Sequence, residues 1–306
     1  MKPKKDEKKK PEVKETAQTF KTVVDADAAA YPPAKAEKAS AEKAEPAKKF
    51  VYDGKVNMLA FWLLTVVSLV ALNTPAFAFL LTPVNQFVVM VHELSHAVAI
   101  LLTGGHVSWM TFVSDGMGHG GLTKGNGITF ITAQAGYLGT TFFGCFLIYL
   151  SQYPRLSRYV IYFLGLAVIA ASIFFVAPGL FAPGMFMQAF LSLLWSLALG
   201  IAFIYLGNKL KPVLANLLLL FLAIQTTLNS FSLAWILVPN ALGMGSGTTD
   251  ATTMQSITFI PAIIWASFWM TVSLFALFFT LKGTYGSFLL NRAKKDKTDN
   301  KLIGGK

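Results

Sequence analysis

Acidic residues are almost absent from the long middle part of this 306-residue sequence. Between Val56 and Leu281 there are only three, Glu93, Asp115 and Asp250, together with five basic residues. The chain as a whole is 54% hydrophobic and contains 26 Phe. A charged side chain costs about 2.5–3.5 kcal/mol at mid-bilayer, so this depletion is typical of a membrane domain and argues against two ordinary soluble domains of the same total length.

Cysteine is scarce as well, and its scarcity limits the fold. The single Cys145 excludes an internal disulfide, and its position in an apolar stretch indicates a packing role. The N-terminus is polar, so we expect no cleavable secretory signal there and an uncleaved anchor in the first apolar run.

The remaining charge is concentrated in two tails. Residues 1–55 hold 14 basic and 10 acidic side chains, and residues 282–306 hold seven basic and two acidic ones. Basic tails and basic short loops that flank apolar segments follow the positive-inside pattern and attract anionic lipid. We therefore interpret the isoelectric point of about 9.6 as a sign of a lipid bilayer partner and predict no nucleic-acid binding.

The apolar segments predict an all-α polytopic membrane protein with about six to seven transmembrane helices. They lie near residues 58–75, 76–103, 131–151, 158–177, 184–206, 213–238 and 257–281, and several reach the roughly 20 residues that a spanning helix needs. We predict three regions along the chain. They are a disordered Lys/Glu/Ala/Pro-rich tail at 1–55, a transmembrane domain at 56–281 and a basic C-terminal tail at 282–306.

Seven full crossings would put the two basic tails on opposite faces, against the positive-inside rule. We therefore expect both termini on the cytoplasmic side and one apolar segment that does not cross. The stretch "NTPAFAFLLTPVNQ" at 73–86, broken by prolines, is the first candidate, and "GMGHGGLTKGNGITF" at 116–130 is a second, re-entrant one. Seven true spans are the alternative.

The stretch "VVMVHELSHAVAILLTGGH" places ionisable groups inside an apolar run. His92 and His96 are spaced i, i+4, so on a helix both imidazoles project from one face and can bind one tetrahedral zinc ion. Glu93 stands beside the first histidine, where it can act as a general base. A catalytic zinc needs a third protein ligand and an open fourth position.

The segment "HELSHAVAILLTGG" resembles the metal-binding helix of site-2-protease-like intramembrane zinc metallopeptidases. The resemblance covers about residues 58–281 and continues in order through Gly104-Gly105, the Gly-rich loop "DGMGHGGLTKGNGITF", "AGYLG" at 135–139, Asp250-Ala251 and "PAIIW" at 261–265. It implies that His92 and His96 bind zinc and that Glu93 activates water. It also implies a third ligand, an Asp on a later span.

Two aspartates compete for that third position. Better-known members of the family place the ligand in an Asp-Gly motif, which here is Asp115-Gly116, between the metal helix and the next span. Asp250 is followed by Ala but stands just ahead of a long apolar run, where it can face the metal helix. We favour Asp250; its structural alternative is a helix N-cap.

The resemblance therefore predicts an intramembrane zinc metalloendopeptidase that hydrolyses peptide bonds of membrane-associated protein substrates. One rival is a non-proteolytic membrane scaffold or chaperone that retains the fold. The other is a metal or proton transporter, which would need further polar residues spread through its other spans. The sequence leaves the oligomeric state open.

Overall fold

The computed structural model describes residues 54–72, 74–113, 121–241 and 249–303, without side chains at 54–56, 72, 75–79, 229–241 and 287–303. Eight α-helices and one two-stranded sheet form the described part of the chain. In chain order they are α1 Gly54–Leu72, α2 Pro75–Leu102, β1 Val107–Thr111, β2 Leu122–Gly125, α3 Thr129–Leu150, α4 Pro154–Ala171, α5 Phe186–Lys209, α6 Pro212–Ala241, α7 Asp250–Thr258 and α8 Ala262–Ile303. A π-helical turn, Ser172–Val176, and a 3₁₀ turn, Ala177–Phe181, extend α4.

Proline marks the start of several helices. α2, α4 and α6 begin at Pro75, Pro154 and Pro212, where the missing N–H would have no intrahelical acceptor in any case. Pro83, in contrast, lies inside α2, which is continuous from Pro75 to Leu102. The expectation of a proline-broken segment at 73–86 is therefore wrong in that respect.

The protein is a mostly helical membrane protein, and five of its described helices are long and apolar enough to cross a bilayer. These candidate spans are Leu80–Leu102, Thr129–Leu150, Pro154–Phe181, Phe186–Lys209 and Ala262–Gly286. Two shorter apolar stretches, Asn57–Ala71 and Pro212–Leu228, lie in α1 and α6. The sequence predicts six to seven spans, and any span beyond these five stays a prediction.

The all-α prediction misses one element, an antiparallel hairpin made of β1 and β2. The hairpin starts at the end of the bundle where α2 stops, and the chain returns to that end before α3 starts. The return is marked by Ile128, whose N–H donates to the Thr103 hydroxyl. Thr123 on β2 reaches Glu93, which lies nine residues, or about 13 Å of helix, before Leu102. Strand β2 thus folds back along α2 to the depth of the predicted catalytic residue.

The opposite end of the bundle is joined by a buried network of amides and hydroxyls. Asn57 of α1 donates to the Ser151 carbonyl at 2.9 Å, Asn216 of α6 donates to Asn57 Oδ1 at 3.1 Å, and Ser157 of α4 donates to Asn216 Oδ1 at 2.7 Å. Tyr285 of α8 lies near Phe61 of α1. The start of α1, the loops that precede α4 and α6, and the last apolar turn of α8 therefore share one end of the described bundle.

Candidate metal centre

Helix α2 brings the two histidines of the motif together, as the i, i+4 spacing predicts. The Nε2 atoms of His92 and His96 lie 3.1 Å apart, and the two rings meet edge to face with centroids 4.8 Å apart. Both side chains are mostly buried, with 13% and 11% of their surface exposed. The cluster is therefore enclosed on most sides but still reachable from outside.

Glycines on α3 allow that helix to pass directly against the two imidazoles. A Cβ atom at Gly136 would overlap both the His92 and the His96 Nε2 atoms, and a Cβ at Gly139 would overlap the Ser95 side chain. Small residues such as those of "AGYLG" suit close packing between helices. The structure shows that Gly136 also leaves open the space in front of both imidazoles.

Asp250 approaches the histidines from α7, across 158 residues of sequence from His92. Its Oδ2 atom lies 3.1 Å from His92 Nε2 and 3.3 Å from His96 Nε2. Burial alone would raise the pKa of Asp250, but the neighbouring His96 and His92 hold that pKa well below its usual range. In its ionised form this carboxylate has the charge and the lone pairs of a metal ligand.

A capping box fixes the start of α7 and with it the position of Asp250. The Thr249 hydroxyl accepts from the Thr252 N–H at 3.2 Å, and the Thr252 hydroxyl accepts from the Thr249 N–H at 2.7 Å. Thr249 is thus the N-cap, and Asp250 is the first helical residue. Because Thr249 fulfils the capping role, the carboxylate of Asp250 is free for another one.

Packing holds α7 against α3. Ala251 and Met254 of α7 are fully buried together with Tyr137 of α3 and Trp269 of α8. Tyr137 stacks on Trp269 at 5.6 Å and meets the His92 ring edge to face at 4.6 Å. The aromatic pair therefore joins three helices directly behind the first histidine.

The hydrogen bond on the far side of His96 fixes which ring nitrogen faces the cluster. His96 Nδ1 lies 2.6 Å from the Thr132 carbonyl oxygen, and because a carbonyl can only accept, Nδ1 must carry the proton. In the neutral ring, Nε2 then presents a lone pair to Asp250 Oδ2. Two acceptor atoms 3.3 Å apart repel one another unless a cation or a proton lies between them.

The spacing of the three atoms fits a tetrahedral metal. Ligand atoms at about 2.0–2.1 Å from a tetrahedral zinc are separated by about 3.3–3.4 Å, close to the observed 3.1, 3.1 and 3.3 Å. Among the residues that the structure describes, His92, His96 and Asp250 form the one group of three or more His, Cys, Asp or Glu side chains suited to hold a metal ion. The backbone hydrogen bond of His96 supplies the outer-shell partner that such ligands usually have.

Glu93 lies on the adjacent face of α2, beneath the hairpin. Its side chain is 5% exposed and interacts electrostatically with His96, His92 and Asp250. The Thr123 hydroxyl donates to Glu93 Oε2 at 2.7 Å. A Cβ at Gly121 would overlap the Glu93 side chain, so β2 passes directly over the carboxylate.

The four side chains singled out from the sequence, His92, Glu93, His96 and Asp250, therefore come together. Asp115, the competing third ligand, and His119 lie outside the described residues, and His106 lies beyond the end of α2, outside the cluster. Sequence reasoning did not find the supporting residues Gly121, Thr123, Thr132 and Gly136. Glycines and threonines in a loop or helix carry no spacing signal that would point to His or Glu partners.

A family model described as "Peptidase M50B-like" matches residues 60–280. The match covers most of the chain and nearly all of the region whose motifs resemble site-2 proteases. The chain therefore belongs to the M50B-like family of membrane metallopeptidases. Neither the curated proteins nor the solved structures give a significant match to the chain.

Proposed function

We propose that the protein is an intramembrane zinc metalloendopeptidase that hydrolyses peptide bonds in membrane-associated proteins. The observation that carries the proposal is the convergence of three potential ligand atoms, His92 Nε2, His96 Nε2 and Asp250 Oδ2, beside a buried glutamate. Membership of a membrane metallopeptidase family supports the same activity.

The roles follow from the chemistry of each side chain. His92, His96 and Asp250 would hold the zinc ion, and each of the three side chains keeps some exposed surface, as a site that must admit substrate requires. A zinc ion bound there supplies a Lewis acid that polarises a peptide carbonyl and makes water more acidic. Glu93 would accept the proton of the attacking water and deliver it to the leaving amine, and we assign this step to Oε1, the carboxylate oxygen that Thr123 does not bind.

The transporter alternative requires polar groups arranged along a path through the other spans. Apart from Glu93 and His96, the buried polar side chains of the described helices are neutral, and several of them join one helix to another. Gln225 donates to Ser68 at 3.1 Å, and Thr141 and Ser273 share a hydrogen bond of 2.8 Å. Such pairs fasten α6 to α1 and α3 to α8, which supports a packing role for them and favours the peptidase.

The decisive experiment combines metal analysis with cleavage by the Glu93→Gln variant. Purified full-length protein should carry about one zinc per chain, and Glu93→Gln should keep it, because Glu93 is not among the three ligands. Cleavage of membrane-protein substrates should fall by at least about 10²–10⁴-fold, the usual contribution of a general base. A His92→Ala/His96→Ala double variant is the matched control that should lose both zinc and cleavage.

Each contrary result has a distinct meaning. Full zinc occupancy in the double histidine variant would refute the metal assignment. Zinc-loaded protein whose cleavage is unaffected by Glu93→Gln would refute the role of Glu93. A zinc-loaded protein that cleaves nothing but performs its cellular role equally well as Glu93→Gln would support the scaffold or chaperone alternative.

We also propose that both termini face the cytoplasm. The shared end of the bundle, with the Asn57 network and the Phe61–Tyr285 contact, also holds most basic residues of the membrane domain. They are Arg155 and Arg158 at the start of α4, Lys209 at the end of α5, Lys211 just before α6, and Lys282 near the last apolar turn of α8. A basic end is the expected cytoplasmic end. Cysteine labelling from outside intact cells should leave residues engineered in both tails unmodified, and labelling of one tail alone would restore an odd number of crossings.

A further inference from the structure

The buried carboxylate of Glu93 depends on one hydroxyl that the hairpin supplies. Thr123 Oγ1 lies 2.7 Å from Glu93 Oε2 and 3.1 Å from the main-chain oxygen of the same residue. A carboxylate buried away from water is costly unless it accepts hydrogen bonds. The contact to both parts of one residue fixes the hydroxyl relative to the helix as well as to the carboxylate.

The rest of the hairpin holds that hydroxyl in place. Thr123 pairs with Met110 of β1, which is fully buried. Beyond β1, the N–H groups of Phe112 and Val113 donate to the Ser192 hydroxyl of α5 at 3.0 and 3.1 Å. The position of β2 over Glu93 is therefore fixed from α5, on the far side of the hairpin.

We propose that Thr123 is a positioning residue for Glu93, so that the hairpin aligns the general base. A hydroxyl carries a single proton, and when the carboxylate is ionised the shorter contact, to Oε2, receives it. The bond restrains the rotation of the carboxylate and thereby assigns the other oxygen, Oε1, to the reacting water. This inference rests on the proposed peptidase function.

The test replaces the hydroxyl and then restores it. Thr123→Val keeps the shape of the side chain without its donor, whereas Thr123→Ser keeps the donor. The loss of one hydrogen bond to a charged group should lower kcat of Thr123→Val by about tenfold to a hundredfold. KM should change by less than about twofold, because Thr123 contacts Glu93 and not the three ligand atoms. Zinc content should be unchanged, and Thr123→Ser should recover most of kcat.

Thr111→Val is the matched control, because Thr111 is a buried threonine of the same hairpin that lies opposite Leu122 in the pairing. It should leave kcat near the wild-type value. Equal losses in Thr111→Val and Thr123→Val, or a Thr123→Ser variant as slow as Thr123→Val, would overturn the positioning role and leave the peptidase proposal standing.

A second measurement needs no catalysis. In zinc-free protein, Thr123→Val, Glu93→Ala and the double variant form a thermodynamic cycle that reports the contact through the melting temperature. We expect the double variant to melt close to the less stable single variant. Strictly additive shifts would overturn the inference even in an active enzyme. If the two substitutions are coupled but the protein cleaves nothing, the contact between Thr123 and Glu93 is supported. The peptidase function, and with it the positioning role, is then refuted.

Discussion

Two buried polar clusters lie along α3, and they differ in whether each hydrogen-bond donor faces an acceptor. Gly136 borders the cluster of His92, His96 and Asp250, and Ser151, about 20 Å of helix further on, belongs to the Asn57–Asn216–Ser157 network. In the network each interatomic contact joins a donor to an acceptor. In the cluster, acceptor atoms of His96 and Asp250 face each other at 3.3 Å.

The comparison teaches how to separate packing from binding inside a membrane protein. Neutral amides and hydroxyls that satisfy one another are complete without a ligand, and they fasten helices. Ionisable groups whose lone pairs converge are incomplete until a cation arrives, which is why such groups mark functional sites. The two clusters should therefore respond to substitution in different ways.

The largest expected effect is that of Asp250→Ala. Removing a direct ligand should lower zinc affinity by more than the roughly 10–100-fold that loss of a ligand's outer-shell partner costs, and it should abolish hydrolysis. Competition with a chelator of known affinity measures the change. Asp115→Ala is the control and should retain zinc; the reverse result, with Asp115→Ala losing zinc and Asp250→Ala retaining it, would transfer the third ligand to Asp115.

The next largest effect is expected at Gly136. The methyl group of Gly136→Ala would occupy the space in front of both Nε2 atoms, so zinc content should fall well below one per chain even though no ligand is changed. Gly283→Ala makes the same change in α8, where a Cβ would meet nothing within 4 Å, and it should retain zinc. Normal zinc content in Gly136→Ala would mean that α3 stands further from the imidazoles.

The smallest effect on the metal is expected in the neutral network. Asn216→Ala removes both the donor to Asn57 Oδ1 and the acceptor of the Ser157 hydroxyl. The loss should destabilise the fold by about 1–3 kcal/mol and lower the melting temperature in detergent. Zinc stoichiometry should stay at the wild-type value. Asn208→Ala, at an exposed position of α5, should change neither quantity, and zinc loss in Asn216→Ala would contradict the separation of the two clusters.

Much of the candidate site could be predicted because its signals are local or rare. The histidines lie four residues apart on one helix, so helix geometry alone brings His92 and His96 together. Asp250 could be chosen because the membrane region has only three acids to offer. The family match over residues 60–280 confirms the resemblance that these motifs suggested.

The fold was predicted less completely, and the misses have physical causes. Hydropathy finds apolar helices because the bilayer demands them, but it gives no signal for a short hairpin that protein, not lipid, surrounds. The segment from 115 to 130 was thus predicted only as a Gly-rich loop and nothing was predicted for 107–111, while β1 and β2 pair and β2 contacts α2.

The sequence by itself determined the membrane class, the metal helix and the types of residue that can bind zinc, since composition and i, i+4 spacing act locally. Only the tertiary structure decided that Asp250 reaches His92 across 158 residues, that Gly136 makes room for both imidazoles, and that Thr123 contacts Glu93. These contacts arise from packing between α2, α3, α7 and the hairpin. Such packing depends on the whole arrangement of helices, and no single segment of the sequence encodes it.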